Sequence, residues 1–258
     1  MMAPVLADRL RAGETLMTGW CAMPEPLVAE GVARAGFDCV TLDVQHGLHD
    51  AISVMRGIGA VALAGKPSLV RIPVGDNALA SRVLDMGAEA VIAPMINTAA
   101  DARALVAATK YPPIGERSWG PNRALTIRAM DPQAHLDGGN RNALAFAMIE
   151  TVRGVDALAE ILAVDGIDGV FVGPSDLSVT FSEGKRIAPL DTSLNATIRL
   201  IADKTKAAGK IAGVFAANPE RAAQLRDIGY RLIALGTDQL YLASGARAML
   251  AAVGNRQA

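Results

Sequence analysis

Two carboxylates stand where apolar runs with the character of buried strands come to an end. The run Ala143–Ile149 leads directly into Glu150, and Asp176 follows the run Gly169–Val172. An acid that ends a buried strand needs a partner, because a bare buried charge is costly. Glu150 and Asp176 could share a hard divalent cation, Mg²⁺ or Mn²⁺, which takes oxygen ligands and leaves positions for water and a chelating substrate. They could instead be solvated loop acids, or acids paired with arginines such as Arg153.

An arginine, Arg71, occupies a similar place after the apolar run Ser68–Val70. At the end of a buried strand, an arginine either forms a structural ion pair or presents its guanidinium as a fixed fork to a ligand. Such a fork would hold a carboxylate or a developing oxyanion through two parallel hydrogen bonds. We favour the second interpretation for Arg71.

Three further polar residues, Asp43, His46 and His49, recur at intervals of three. The spacing could indicate a metal cluster, but Gly47 interrupts any helix that would align the three side chains. We expect His46 to be a general base near a strand end, since histidine titrates close to neutral pH. His49 is expected to be a surface residue.

The elements that must position these residues are announced by two alternating signatures. In each, glycine at the end of a helix precedes a short apolar run, as expected for parallel strands that are buried on both faces. The first signature precedes the runs TLMTGW, PSLVRI, ALAFAMIE and IAGVFA, through Gly13, Gly65, Gly138-Gly139 and Gly209. The second comprises GFDCVTLD, GAEAVIAP, GIDGVFVG and GYRLIALG, which begin at Gly36, Gly87, Gly166 and Gly229.

Helical stretches with readable starts separate the runs. Pro24 and Pro26 open the first, Asp50 caps the second, Asp76 or Asn77 caps the third, and Asn218-Pro219-Glu220 begins another. Eight strand–helix pairs in 258 residues predict an α/β fold, a single (β/α)8 TIM barrel over 1–258. No linker divides it. The segment Lys110–Asn142 is irregular and too long for an ordinary barrel loop, which favours a functional role.

Chemistry in such barrels gathers at the carboxyl ends of the strands, where Trp20 and Phe215 join the residues named above. A Schiff-base aldolase needs a lysine at that end. Lys66 and Lys210 precede strands and therefore lie at the opposite mouth, and the other lysines fall in helices or loops. Imine chemistry is therefore not expected, and an enolate would have to be stabilised by a metal.

Composition excludes several other classes of protein. The formal net charge is −1 and no basic stripe is present, which argues against nucleic acid as a partner. Apolar runs fall far short of the ~20 residues of a membrane span, and no signal peptide is recognisable. Cys21 and Cys39 form no disulfide framework, and we expect buried free thiols in a cytoplasmic protein.

Five sequence blocks resemble the HpcH/HpaI aldolases, which are metal-dependent class II pyruvate aldolases of the phosphoenolpyruvate/pyruvate barrel superfamily. The likeness runs in register from about Leu10 to Ala252. The blocks are LDVQHG (Leu42–Gly47), LVRIP (Leu69–Pro73), KYPPIGERSWGP (Lys110–Pro121), FAMIET (Phe146–Thr151) and GVFVGPSDLS (Gly169–Ser178).

The resemblance implies a role for each matched residue. Glu150 and Asp176 would bind the divalent cation (Mg²⁺, Mn²⁺ or Co²⁺), and Arg71 would hold the oxyanion of the pyruvate enolate. His46 would be the base, working with Asp85 on the third helix, and Asp43 would order water on the metal. Ser175 would present its backbone N–H to the substrate carboxylate. The family also implies a homo-oligomer, commonly a hexamer built as a trimer of dimers, whose eighth helix is exchanged between subunits.

The chain departs from the family pattern at two positions. Gln45 stands where a glutamate precedes the histidine, and Met148 replaces a glutamine two residues before the metal-binding glutamate. The ERSWGPNRA block (Glu116–Ala124) is closest to a subgroup of hydroxy ketoacid aldolases, which also accept hydroxypyruvate. By that likeness Ser118, Arg123 and Phe215 would line the aldehyde side, and Trp20 would belong to the substrate site.

The implied activity is reversible aldol addition of pyruvate or hydroxypyruvate to an aldehyde, with cleavage of 4-hydroxy-2-oxo acids as the reverse. A different enzyme on the same barrel, a metal-dependent lyase or decarboxylase of oxaloacetate or an acyl-CoA ester, remains an alternative. So does a barrel retained as a binding or structural subunit, although the intact set of charged residues argues against it.

Overall fold

Eight parallel strands close into a barrel in the computed structural model, which describes residues 5–254. Neighbours in the chain are neighbours in the sheet, and the last strand pairs with the first. The predicted (β/α)8 architecture is confirmed. The strands are β1 (Leu16–Cys21), β2 (Cys39–Asp43), β3 (Ser68–Arg71), β4 (Ala90–Ala93), β5 (Leu144–Ile149), β6 (Gly169–Val172), β7 (Ile211–Ala216) and β8 (Leu232–Leu235).

Helices surround this barrel, and the four whose starts were predicted begin at those signals. They are α1 (Leu6–Arg11), α2 (Pro26–Arg34), α3 (Ala51–Leu63), α4 (Asn77–Met86), α5 (Ala99–Thr109), α6 (Asn122–Arg128), α7 (Pro132–Asn142), α8 (Val152–Asp156), α9 (Leu158–Leu162), α10 (Pro174–Phe181), α11 (Asn195–Ala207), α12 (Pro219–Asp227) and α13 (Asp238–Ala252), with a short 3₁₀ turn before α11. Asp50, Asp76 and Asn218 cap α3, α4 and α12 through their side chains, as predicted.

Seven of the eight signature glycine sites end a helix at positive φ, which residues with a Cβ adopt only at a cost. The exception is Gly138-Gly139, which lies inside α7. A Cβ at Gly139 would come within 2.9 Å of the Tyr111 ring, so this glycine permits close packing and does not end the helix.

The segment Lys110–Asn142 is not irregular, because it contains α6 and α7. Pro121 precedes α6, and Asp131 caps α7 by accepting hydrogen bonds from the N–H groups of Gln133 and Ala134. Because the segment joins the end of α5 to the start of β5, it lies at the amino end of the barrel and along α4. It is therefore at the opposite end from the predicted chemistry.

Two apolar layers hold the barrel together. One fills its interior with residues such as Leu69, Phe146, Phe171 and Leu232, and the other lies between the strands and the surrounding helices. Cys21 and Cys39 are buried free thiols, and burial raises the pKa of each to about 12. Within residues 5–254, no helix combines the length and the apolar character that a membrane crossing needs.

Candidate active site

A cavity of about 310 Å³ opens at the carboxyl end of the barrel. Its wall contains most of the residues that were predicted from strand ends and from the family resemblance. Those that line it are Trp20, Asp43, His46, Arg71, Ser175, Asp176 and Phe215. Among the described residues, no lysine lines it. The cavity is therefore the candidate active site.

A buried arginine–carboxylate pair forms one side of the cavity. Arg71 Nε donates to Asp43 Oδ1 at 2.9 Å, and Arg71 Nη2 donates to Oδ2 at 2.6 Å. The pairing of β2 with β3 sets Asp43 opposite Arg71, so the fork is fixed by strand register. Trp20 holds the pair from β1: its indole N–H donates to Asp43 Oδ2 at 3.2 Å, and the Arg71 guanidinium lies 5.0 Å from the ring centre. Burial alone would raise the pKa of Asp43, but the Arg71 guanidinium brings that pKa below its usual value.

His46 is exposed at the cavity mouth on the turn that follows β2. Asp43 Oδ1 shapes this turn by accepting hydrogen bonds from the backbone N–H groups of Gln45 and His46. Gly47 allows the turn to pack closely against the ends of β2 and β1, because a Cβ there would lie 2.2 Å from the Asp43 carbonyl oxygen and 3.0 Å from Ala22 Cα. The same carboxylate thus orients Arg71 and fixes the backbone that carries His46.

Glu150 lies at the end of β5 and is 2% exposed. Among residues 5–254, the one hydrogen bond to its carboxylate comes from the backbone N–H of Met95, which donates to Oε1 at 2.8 Å. Burial raises the pKa of Glu150 to about 7, and the negative charge of Asp176 adds to this, against the Met95 N–H and Arg71. A buried carboxylate with so few donors is one that a cation would stabilise.

Asp176 and Ser175 are exposed in the first turn of α10. Gly173 precedes this helix and has no side chain to cap it, so backbone N–H groups of the first turn are open to a ligand. A helix N-terminus of this kind favours an anion such as a carboxylate. Ser175 lines the cavity, so the start of α10 lies at its wall.

Asp176 lines the cavity, and Glu150 lies behind the wall at Gly173, where a Cβ would come within 2.5 Å of its Oε2. Both residues offer carboxylate oxygens, the ligands that a hard divalent cation prefers. Within residues 5–254, no group of three or more histidine, cysteine and acidic side chains is arranged to hold a metal ion. A cation here would take two protein ligands, and its other positions would go to water and substrate oxygens.

The remaining wall of the cavity is apolar. Trp20 packs against Phe171 at 5.8 Å between ring centres and against Phe215 at 5.5 Å. Met148 adds its thioether next to Phe171, its register partner on β6. A substrate in this cavity would therefore meet charge on one side and aromatic rings on the other.

Three predicted site residues lie elsewhere in the chain. Asp85 is in the last turn of α4, where its Oδ1 accepts a hydrogen bond from Arg117 Nη2 at 2.6 Å. Ser118 is exposed and outside the cavity wall. Arg123 is also exposed, and its guanidinium lies beside Gly59 on the outer side of α3. A single chain brings none of the three to His46 or Arg71.

The prediction that His49 is a surface residue is wrong, since its exposed fraction is 6%. Its Nδ1 lies 3.2 Å from Ser53 Oγ on α3, and its buried Nε2 has no hydrogen-bond partner among residues 5–254. Burial lowers the pKa of His49, against the opposing charges of Asp238 and Asp43. The groups that surround His49 include Ser53 on α3 and Asp238 near the end of the chain. The sequence next to His49 therefore gave no sign of its burial.

Two further residues shape the site, and the sequence assigned a role to neither. Met95 acts through its backbone N–H, which has no side-chain signature. Asp238 is 2% exposed, and its Oδ2 accepts hydrogen bonds from the N–H groups of Ala22 and Met23 at the end of β1. An acid in the first turn after the Gly236 bend was the available signal for Asp238.

The chain is similar to known proteins over most of its length. The family model described as HpcH/HpaI aldolase/citrate lyase matches residues 17–244. The chain is 34% identical to a hydroxypyruvate/pyruvate aldolase from Roseovarius nubinhibens, over 94% of this chain and 93% of that protein. It is 35% identical to a 4-hydroxy-2-oxo-heptane-1,7-dioate aldolase from Salmonella arizonae, over 98% and 95%.

A solved structure shows the same likeness in three dimensions. The crystal structure of an HpcH/HpaI aldolase/citrate lyase family protein from Burkholderia cenocepacia superposes with a TM-score of 0.86 at 31% identity, covering 97% of this chain and 99% of that one. The chain therefore belongs to the HpcH/HpaI aldolase/citrate lyase family and is an enzyme of the carbon–carbon lyase class.

Proposed function

We propose that the protein is a divalent-metal-dependent aldolase that adds pyruvate or hydroxypyruvate to an aldehyde and cleaves 4-hydroxy-2-oxo acids in reverse. The observation that carries the proposal is the buried carboxylate of Glu150, which accepts one hydrogen bond from the described residues and is near enough to Asp176 and Arg71 for their charges to affect its pKa. The names of the relatives from Roseovarius and Salmonella support the choice of 2-oxo acid chemistry.

Glu150 and Asp176 would hold the cation, Mg²⁺, Mn²⁺ or Co²⁺. When bound, the cation supplies Lewis-acid stabilisation of negative charge that develops on the keto oxygen of the substrate. The N–H of Ser175 would orient the substrate carboxylate at the start of α10.

Arg71 and His46 divide the remaining work. His46, exposed at the mouth, would take the C3 proton and return one in the reverse direction. The Arg71 fork, already fixed by Asp43 and Trp20, would stabilise the enolate oxygen without further reorganisation. C3 of the enolate would then attack the aldehyde carbon, whose substituent would lie against the aromatic wall formed by Trp20, Phe171 and Phe215.

The role proposed for Asp85 requires more than one copy of the chain. Asp85 lies eight residues after the start of α4, about 12 Å along the helix axis from the end nearest the cavity. We propose that Asp85, Ser118 and Arg123 complete the cavity of a neighbouring subunit, where Asp85 would pair with His46.

The last helix supports association of subunits. Only Asp238 is buried in α13, which leaves an apolar surface exposed at Leu240, Leu242, Met249, Leu250 and Val253. We propose that α13 packs on a partner subunit in a hexamer built as a trimer of dimers. Sedimentation velocity tests this, because a monomer at micromolar concentration would contradict the proposal.

The activity is tested by exchange of the C3 protons of pyruvate and hydroxypyruvate with deuterium, followed by NMR without aldehyde. Exchange that requires Mg²⁺ or Mn²⁺ and stops with EDTA is expected. Folded protein that binds the metal and exchanges neither acid would refute the aldolase proposal. Oxaloacetate decarboxylation without aldol turnover would then identify the lyase alternative.

A further inference from the structure

The turn that follows β4 is bonded to the end of β5 on both sides of Glu150. Met95 N–H donates to Glu150 Oε1 at 2.8 Å, and Ile96 N–H donates to the carbonyl oxygen of Met148 at 3.3 Å. Thr151 Oγ1 donates to the side-chain oxygen of Asn97. Three successive residues of the turn therefore contact three positions of one strand end.

Met95 adopts an unusual backbone conformation to make its contact. Its φ is +56°, in the left-handed region that residues with a Cβ seldom occupy. The Asn97 side chain supports this conformation, since its Nδ2 donates to the Met95 carbonyl oxygen at 2.9 Å. Strained backbone of this kind collects at functional sites, where the surrounding structure maintains it. Here the strain points an N–H group at a carboxylate.

The opposite side of Glu150 is bounded by Gly173. Its φ is ordinary, so backbone conformation does not require glycine at this position. The requirement is space: a Cβ there would lie 2.5 Å from Glu150 Oε2, 2.6 Å from Met148 Cε and 3.1 Å from Glu150 Cβ. Any larger residue must displace the carboxylate.

We propose that Met95 and Gly173 are positioning residues that set the orientation of the Glu150 carboxylate for its divalent cation. The Met95 N–H fixes Glu150 Oε1 by a hydrogen bond, and the absence of a side chain at Gly173 provides the space that Glu150 Oε2 occupies. This inference rests on the proposed function, because it assumes that Glu150 binds a metal. It adds β4, which contributes no side chain to the cavity wall, to the elements that build the site.

The test is Mn²⁺ affinity, measured by the EPR signal of free Mn²⁺ at pH 8, where Glu150 is ionised. Gly173→Ala and Met95→Val are the test variants, since a β-branched residue is least compatible with φ of +56°. Both should bind Mn²⁺ about 10- to 100-fold more weakly, the range usual for residues that orient a metal ligand.

Two matched variants serve as controls. Met95→Gly retains the N–H and accepts the left-handed conformation, so its Mn²⁺ affinity should stay within about 2-fold of the wild type. Gly31→Ala places a Cβ where no atom lies within 4 Å and should also leave affinity unchanged. Circular dichroism and thermal unfolding establish that each variant is folded.

The outcomes separate the two proposals. Wild-type protein that binds no Mn²⁺ would contradict the proposed function itself. Wild-type binding with unchanged affinity in folded Gly173→Ala would overturn the role of Gly173. Equal loss of affinity in Met95→Val and Met95→Gly would show that the Met95 side chain matters, and would overturn the role assigned to its backbone.

Discussion

Buried charges occur at both ends of the barrel, but their surroundings differ. At the amino end, Lys110 is 1% exposed and its ammonium donates to Asp168 Oδ2 at 2.6 Å and to the carbonyl oxygens of Asn140 and Ala143. Asp168 in turn accepts from Arg11 at 2.8 Å and from the N–H of Ala145 at 2.8 Å. Within residues 5–254, both charged groups of this Lys110–Asp168 network therefore have protein partners.

At the carboxyl end, one buried carboxylate has few hydrogen-bond donors among the described residues. Arg71 and Asp43 satisfy each other, whereas Glu150 has a single donor and a pKa of about 7. Closed networks of buried charge are structural, and an incomplete one indicates a place for a ligand. On this contrast we propose a structural role for Lys110 and a metal-binding role for Glu150.

The largest effect is expected from disrupting the Lys110–Asp168 network at the amino end of the barrel. Lys110→Met should lower the free energy of unfolding by about 3–5 kcal/mol, because Asp168 would lose its buried counter-charge. Denaturant unfolding measures the change, with exposed Lys204→Met as the control. The rate at which folded Lys110→Met protein exchanges the C3 protons of pyruvate should remain near that of the wild type. Loss of this activity without loss of stability would contradict the structural role of Lys110.

A substitution at the carboxyl end of the barrel should lower the reaction rate more than the stability. Arg71→Ala removes the proposed oxyanion fork, and we expect a loss of about 10²–10³-fold in kcat for pyruvate proton exchange and aldol cleavage. Steady-state rates for both reactions, with Arg199→Ala as the control, measure this. Near-normal rates in a folded Arg71→Ala protein would refute the oxyanion role.

A change of pH sharpens the contrast. The pKa of Glu150 is about 7, so below pH 7 a proton competes with the metal, and Mn²⁺ affinity should fall about 10-fold per pH unit. In metal-free protein, the raised pKa of Glu150 also makes the free energy of unfolding depend on pH. The stabilising contribution is complete at pH values below the ordinary pKa of glutamate, and it is lost as the pH rises through 7. Glu150→Gln should remove that dependence from thermal unfolding curves between pH 5 and 8, whereas an unchanged curve would contradict the raised pKa.

The smallest effect is expected at an exposed pair of the amino end. Arg141 and Asp8 form an ion pair with side chains 66% and 49% exposed. Arg141→Ala should lower the free energy of unfolding by less than about 1 kcal/mol, since solvent screens the pair. A loss comparable with that of Lys110→Met would show that burial does not distinguish the two pairs.

Side chains at strand ends could be predicted from sequence because two properties coincide there. Apolar runs mark the strands, and the parallel arrangement brings their carboxyl ends together, so Asp43, Arg71, Glu150 and Asp176 were expected to meet. The structure places Arg71 against Asp43 and brings Glu150 near Asp176. Arg71 forms the ion pair that one interpretation expected, with Asp43, and its role as a fork for an oxyanion stays a prediction.

Other features depended on contacts that leave no local pattern. The Met95 N–H is a backbone group, and its direction follows from a left-handed residue that no motif announces. Gly138-Gly139 had the composition of a helix end but lies within α7 because the Tyr111 ring needs the space. Asp85 was assigned by likeness alone, and in this chain it is bound to Arg117.

The sparse burial of α13 has a consequence for local stability. All eight strands are paired by Leu235, so the hydrogen-bonded barrel is closed before this helix begins. Amides of α13 in a separated subunit would exchange with solvent through a small local opening, whereas strand amides exchange only when the barrel unfolds. Asp238 couples that opening to the end of β1, where it binds two backbone N–H groups next to Trp20. Slow exchange in α13 at high protein concentration would therefore report both assembly and an ordered first strand end.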